Sequence, residues 1–259
     1  MTRPLILLSN DDGVDAPGVL ALRDALREIA DVVTVAPKYE QSAQSHAISL
    51  HRPLRHERLG DQLHSIDGTP VDCVYVALFR RDLLPRRPDL CCSGINHGPN
   101  LASDVVYSGT VAAAREAALR GVPSIAFSLV GRADEAALMR AAGHAASLAL
   151  RFHEAPKPEG HAPLLNVNFP RGGGEKGVRA TRLGLRHYAE GVEVRDDPRG
   201  REYYWIGGPG GPRHEPLDGS DTDAVDEGFI SVTPLRIEAT DPDQFGIAAY
   251  VAGEDEDEA

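Results

Sequence analysis

The chain has 259 residues, 42% of them hydrophobic and 25% charged, which fits one large α/β domain or a domain with an extension. Its formal charge of −12 argues against a nucleic-acid duplex as partner, because a phosphate backbone demands a basic face. A small phosphorylated substrate stays open if a cation supplies local positive charge.

Leu5 to Leu8 is an unbroken apolar run and predicts the buried first strand of a parallel sheet. Arg3 and Pro4 lead straight into it, with no signal-peptide pattern, and no apolar run approaches a membrane span. The three cysteines, Cys73, Cys91 and Cys92, lack zinc spacing and read as reduced core residues. These features together predict a cytoplasmic protein with no membrane partner. The first strand ends at Asp11-Asp12-Gly13. Adjacent carboxylates repel one another, and a divalent cation between them removes that repulsion; hard oxygen ligands suit Mg²⁺, Mn²⁺ or Ca²⁺. A solvated turn leading into a helix is the competing reading.

Val14 to Ile29 carries Val19, Leu22, Leu26 and Ile29 at helical spacing. Val32 to Ala36 is a second buried strand ended by Pro37, so the opening segment is a βαβ unit with a parallel pair. No Gly-x-Gly-x-x-Gly follows the first strand, which removes a dinucleotide fingerprint. The polar loop Lys38 to His46 overhangs the same sheet edge as Asp11. Ile48 to Ile66 alternates in places and suggests strands or a hairpin near an edge. Thr69-Pro70-Val71-Asp72 has the order of a capping box with proline at the first helical position.

Pro88 to Ser93 is a third buried strand, followed by a glycine-rich loop from Gly94 to Asn100. Ser108-Gly109-Thr110 starts a helix that runs from Val111 to Arg120 and stops at Gly121; such a start offers N–H groups and hydroxyls to an anion. Ser124 to Leu129 is a fourth strand, Ala133 to Phe152 a helix and Leu164 to Phe169 a further strand. The expected doubly wound sheet is complete by Leu129. Val192 to Arg195 and Glu202 to Ile206 alternate around the turn signal Asp197-Pro198-Arg199-Gly200 and form a hairpin arm. Ser220 to Asp223 starts a short helix, with Asp221 and Asp223 as helix-start residues and not ligands, and Phe229 to Thr233 is the last strand. Asp72 and Asp104 are capping or supporting groups. His46 and His97 sit in the loops at the strand ends, where either a proton donor to a leaving alkoxide or a solvated loop histidine fits.

The motifs occur in a telling order. Ser9 to Gly13, Gln41-Ser42-Ala43, Gly68 to Asp72, Ser93 to Gly98 and Tyr107 to Thr110 together strongly resemble the SurE family of metal-dependent 5′/3′-nucleotidases, with Leu165 to Asn168 and Gly228 to Pro234 similar to its later motifs. The resemblance spans nearly the whole chain, least clearly Arg171 to Gly219 and the acidic tail. It implies a Rossmann-like three-layer α/β core with a mainly parallel sheet, plus a C-terminal β-hairpin arm used in oligomerisation. It also implies one divalent cation per subunit, Mg²⁺ or Mn²⁺, held by Asp11, Asp12, Ser42 and Asn96. Asp11, Asp12 and Asn96 become the catalytic set, acting on nucleoside 5′-monophosphates by a metal-activated water. 3′-Monophosphates and short polyphosphate fall within the implied range. Asn10, Ser45, Gly94, His97, Ser108, Gly109 and Thr110 are the substrate- and phosphate-binding candidates, with His46 as candidate general acid. The loop around Ser42 reads Tyr39-Glu40-Gln41-Ser42, whereas many relatives place a basic residue just before the serine; the ligand reading stands, but a possible phosphate contact is lost.

The expected organisation is a metal- and phosphate-binding core over 1–155 and a C-terminal part over 156–253. The latter completes the core and carries the arm at about 186–210, before an acidic tail at 254–259. The expected partner besides substrate is a second copy, as a homodimer or homotetramer. Two rivals carry different chemistry. A receiver-like Mg²⁺-binding signalling module needs an Asp at the end of the third strand, where this chain has Ser93-Gly94-Ile95-Asn96. A haloacid-dehalogenase-type phosphatase needs Asp-x-Asp, whereas here the carboxylates are adjacent.

Overall fold

The computed structural model describes residues 3–131, 134–156, 158–174, 176–208 and 210–253; the tail expected at 254–259 lies outside them, as does Ala133. The strands are Leu5–Ser9 (β1), Asp31–Pro37 (β2), His56–Gly60 (β3), Leu63–Ile66 (β4), Leu90–His97 (β5), Ser124–Leu129 (β6), Leu164–Phe169 (β7), Val178–Ala180 (β8), Leu185–His187 (β9), Val192–Asp196 (β10), Glu202–Ile206 (β11), Arg213–Glu215 (β12) and Ile230–Leu235 (β13). The helices are Pro17–Arg27 (α1), Pro70–Phe79 (α2), Gly109–Leu119 (α3), Glu135–Glu154 (α4), Asp221–Asp226 (α5) and Phe245–Ala252 (α6).

Among the described residues a nine-stranded sheet runs β3-β4-β2-β1-β5-β6-β7-β13-β8. The central strands β4, β2, β1, β5, β6 and β7 are parallel, as continuous apolar runs require when both faces are covered. Alternate residues of one strand serve opposite layers. Ile6 and Leu8 of β1 pack with Val19, Leu22 and Leu26 of α1 and the alanines of α4. Leu5 and Leu7 face Cys73, Val74 and Ala77 of α2 and Ala113 and Ala117 of α3. Helices therefore cover both faces, giving the three-layer α/β fold. The cysteines are buried and unpaired. No helix among the described residues is long and apolar enough to cross a membrane.

The structure differs from the sequence expectation at several points. α1 begins at Pro17 and not at Val14, because Asn10 Nδ2 donates to Gly13 O at 2.7 Å and Val14 N donates to Pro37 O at 2.8 Å, holding the intervening residues as a turn. Pro17 then takes the first helical position, where its missing N–H is harmless. β5 runs on through the stretch expected as a loop and ends at His97. A register shift opposite β6 falls between Ser93 and Asn96. Gly94, at φ +123°, permits it: a Cβ there would lie 2.2 Å from Phe127 O. Only the second half of Ile48 to Ile66 forms the edge hairpin, as β3 and β4.

The sheet is not complete at Leu129. β7 pairs parallel to β6, β13 pairs antiparallel to β7, and β8 closes the far edge. β6 is buried along its whole length, so it needs a neighbour on each side. Three short strands, β8, β9 and β12, and the terminal α6 carry no strong periodic signal and were not anticipated. β10 and β11 form the expected hairpin, a separate two-stranded sheet exposed along both strands.

Candidate active site

The carboxyl ends of β1, β2 and β5 meet the N-terminus of α3, the edge at which an open α/β sheet binds ligands. Asp11 stands at the centre. It is 4% exposed, and its Oδ1 accepts a hydrogen bond from the Thr110 hydroxyl. Burial, with the Asp12 charge beside it, pushes its carboxyl up to about 6, against the pull of hydrogen bonds from Thr110. Gly109 makes this approach possible: a Cβ there would fall 2.8 Å from Asp11 Cβ. Asp12 Oδ2 accepts from the His97 backbone N–H at 3.0 Å. Its carboxyl is also raised, by burial first and by the Glu40 charge, while the His97 contacts lower it.

Asn96 donates from Nδ2 to Gly98 O at 2.9 Å, which fixes the amide and leaves its carbonyl oxygen as the available donor atom. Ser42 is exposed, and its hydroxyl donates to Glu40 Oε1 at 2.8 Å. Asp11, Ser42 and Asn96 line one cavity of about 370 Å³; Asp12, Glu40 and Asn96 line an adjoining one of about 470 Å³. The four residues named as metal ligands thus border one continuous pair of clefts around Asn96. Their oxygens fit a hard divalent cation, and two raised carboxylates close together are the charge such a cation would neutralise. Among the described residues no three His, Cys, Asp or Glu gather into a metal cage, so a cation here depends on neutral oxygens as well.

Several other candidates have work of their own. Thr110 is fully buried and orients Asp11; it does not face an open phosphate position. Ser108 caps α3, its Oγ accepting from Val111 N at 3.1 Å, while still lining the cleft. Asn10 is buried and braces the turn, and Gly94 serves strand packing. Ser45 donates through Oγ to Val106 O at 2.7 Å and through N to Tyr107 O at 3.0 Å, so it anchors its loop. His97 lines both clefts. His46 points elsewhere: its Nε2 lies 2.9 Å from Glu116 Oε2. Glu116 is seven residues along α3 from Gly109, about 10 Å of helix. That contact ties the His46 loop to α3.

Three groupings at the site arise only in the folded chain. Glu40 brings a third carboxylate to the site. Asn100 is held by β7: its N donates to Asn168 Oδ1 at 2.8 Å, and its carbonyl accepts from Asn166 Nδ2 at 2.7 Å and Asn168 Nδ2 at 3.0 Å. Two asparagines at alternate positions of an apolar strand were the available signal. Asp104, Arg186 and Tyr188 form the third group, joined across 82 and 84 residues of chain, with no local signal. Asp221, expected only to start α5, is fully buried and also accepts from Ala102 N at 3.0 Å and Gly184 N at 2.7 Å.

Comparison with known proteins gives a consistent result. The model of the family described as survival protein SurE matches residues 6–190. A protein of Sorangium cellulosum named 5′-nucleotidase SurE is 56% identical over 256 residues, 97% of each chain. One of the same name from Vibrio cholerae is 46% identical, over 91% of this chain and 92% of its own. The crystal structure of the SurE protein from Aquifex aeolicus superposes with a TM-score of 0.82 at 37% identity, covering 96% of this chain and all of the other.

Proposed function

Since the chain belongs to the survival protein SurE family, we propose that it is a 5′-nucleotidase that hydrolyses nucleoside 5′-monophosphates to nucleoside and phosphate. Asp11, Asp12, Asn96 and Ser42 would hold one divalent cation per subunit, Mg²⁺ or Mn²⁺. The observation that carries this is Asp11: a carboxylate buried at the head of a cleft, beside a second carboxylate, with no cationic side chain among the partners that set its ionisation. A bound cation supplies Lewis-acid polarisation of a phosphoryl oxygen and a water of lowered pKa.

The chain's own residues prepare the site. The Thr110 hydroxyl and the His97 N–H hold the two carboxylates in fixed orientations, so little reorganisation accompanies binding. Gly98 O turns the Asn96 amide so that its oxygen is the free end. Ser42 is supplied from a loop tied to Asp11 itself, Gln41 N donating to Asp11 O at 2.7 Å. Two neutral ligands in four limit the ligand charge to that of two carboxylates, so a divalent cation is balanced and the site carries no ligand-derived excess negative charge against an anionic substrate.

Adjacent carboxylates at the end of β1 and Asn96 at the end of β5 favour this reading over the receiver-like and dehalogenase-type alternatives. We also infer a homodimer or homotetramer, built with the exposed β10–β11 arm, and a core over 1–155 completed by 156–253. Phosphate release should be measured over a panel of nucleoside 5′- and 3′-monophosphates after EDTA stripping, with each divalent cation restored in turn. Turnover that is unaffected by stripping would overturn the metal assignment. Trapping of a covalent aspartyl adduct by a phosphate mimic would favour the dehalogenase-type alternative.

A further inference from the structure

We propose that Tyr188, together with Tyr107 on the same cleft, forms an aromatic subsite for the base of a nucleoside monophosphate. The inference rests on the nucleotidase reading and names what holds the part of the substrate that does not react. Both tyrosines line the cleft that contains Asp11, Ser42 and Asn96, so aromatic side chains and the oxygens of the metal and phosphate end share one open cleft. A cavity of about 370 Å³ lies in the range that takes a small ligand. Tyr107 is 66% exposed and Tyr188 52% exposed.

Exposure alone would mean little. What sets Tyr188 apart is that its hydroxyl is held in place by Asp104. Asp104 Oδ1 accepts from the Tyr188 hydroxyl at 2.7 Å, and Oδ2 accepts from Arg186 Nη1 at 2.6 Å. The Arg186 and Asp104 side chains are only 9% and 11% exposed, a well-shielded pair, and the guanidinium lies 5.3 Å from the Tyr188 ring centroid. The Asp104 carbonyl accepts from the N–H groups of Tyr107 and Ser108, each at 3.0 Å. One aspartate therefore holds the Tyr188 ring and the backbone from which Tyr107 projects, next to the start of α3, where Asp11 sits. A ring already held in place loses little freedom when a base stacks on it. The Tyr188 phenol is pushed up to about 12 by burial and by Asp104, so it stays neutral beside an anionic substrate. Stacking is available to every base, so the subsite would tell a nucleotide from a plain sugar phosphate without choosing strongly between bases.

The test compares adenosine 5′-monophosphate with ribose 5-phosphate, which carries the same phosphate and sugar without a base. In Tyr188→Ala the ratio of kcat/KM for the nucleotide to that for the sugar phosphate should fall roughly tenfold, mostly through KM. Tyr188→Phe keeps the ring but frees it from Asp104, and should fall between Tyr188→Ala and the unaltered protein. An unchanged ratio in Tyr188→Ala would overturn the subsite, even if both activities drop together as a merely structural role predicts. The unaltered protein carries a second readout: free adenosine should inhibit ribose 5-phosphate hydrolysis competitively, and no inhibition at millimolar adenosine would also overturn it. If the unaltered protein with Mg²⁺ or Mn²⁺ hydrolyses neither compound, the nucleotidase reading itself has failed and the subsite falls with it.

Discussion

Asp11 and Asp12 are adjacent in sequence yet differently placed. Asp11 is sunk against Thr110 and Gly109, whereas Asp12 reaches the second cleft beside Glu40. Asp11→Asn or Asp12→Asn should each lower kcat by about three orders of magnitude or more while circular dichroism stays native, because each removes a charged ligand and no packing. Near-normal turnover at saturating metal would remove the centre. The raised Asp11 carboxyl also has a thermodynamic consequence. With its folded value at about 6 against an ordinary 3.8, the folded chain binds the proton more tightly than the unfolded one. That contribution is present in acid and is lost as pH rises through about 6. Metal-free protein should therefore carry a penalty of about 3 kcal/mol from this group at pH 8. In EDTA, denaturant titration should find Asp11→Asn more stable than the unaltered protein at pH 8. The gap should narrow towards pH 5 and close when a divalent cation is restored to the unaltered protein.

The loop after β2 is the element that delivers Ser42, and it is tied at several points. Ser45 holds the turn before α3, His46 meets Glu116, and Ser49 N donates to Asp72 Oδ1 at 2.8 Å. Asp72 also closes the capping box of α2 through Thr69, and the Thr69 hydroxyl donates to Ala47 O at 2.7 Å, so helix capping and loop placement share residues. Glu116 is further engaged by Arg120 Nε at 2.8 Å, which orients its carboxylate towards His46. His46→Ala should speed hydrogen exchange over residues 41–49 and weaken metal binding a few-fold through Ser42, with kcat at saturating metal nearly unchanged. A large loss of kcat with normal exchange would instead mark His46 as the proton donor.

At the scale of the molecule, the described residues leave apolar side chains of the arm and of the last helix in water. The β10–β11 arm exposes Tyr203, Tyr204, Trp205 and Ile206, and α6 exposes Phe245, Ile247, Tyr250 and Val251. An isolated two-stranded hairpin is at best marginally stable in water, so the arm is best accounted for by a neighbouring copy. Replacing Val192 to Ile206 by a short Gly-Ser linker should give a smaller species by light scattering and a lower Tm. Some activity should survive, since the loops proposed to hold the cation lie elsewhere. An unchanged mass in subunits would show that the arm does not assemble the protein.

The sequence by itself determined whatever is local. Apolar runs marked β1 and β2, because a strand buried on both faces offers few places for polar residues. Thr69, Pro70 and Asp72 announced the start of α2, because capping is settled within four residues. The carboxylate pair was visible as a candidate ligand set for the same reason, and the order of short motifs carried the family. Tertiary structure alone decided what depends on chain closure. Nothing near Thr110 in sequence shows that its hydroxyl turns onto Asp11, 99 residues away. Nothing near Leu129 shows that β13 returns to extend the sheet, or that Tyr188 joins Asp104 on the cleft. Such contacts follow from which strand ends the fold brings to one edge, and residue spacing along the chain carries no record of that.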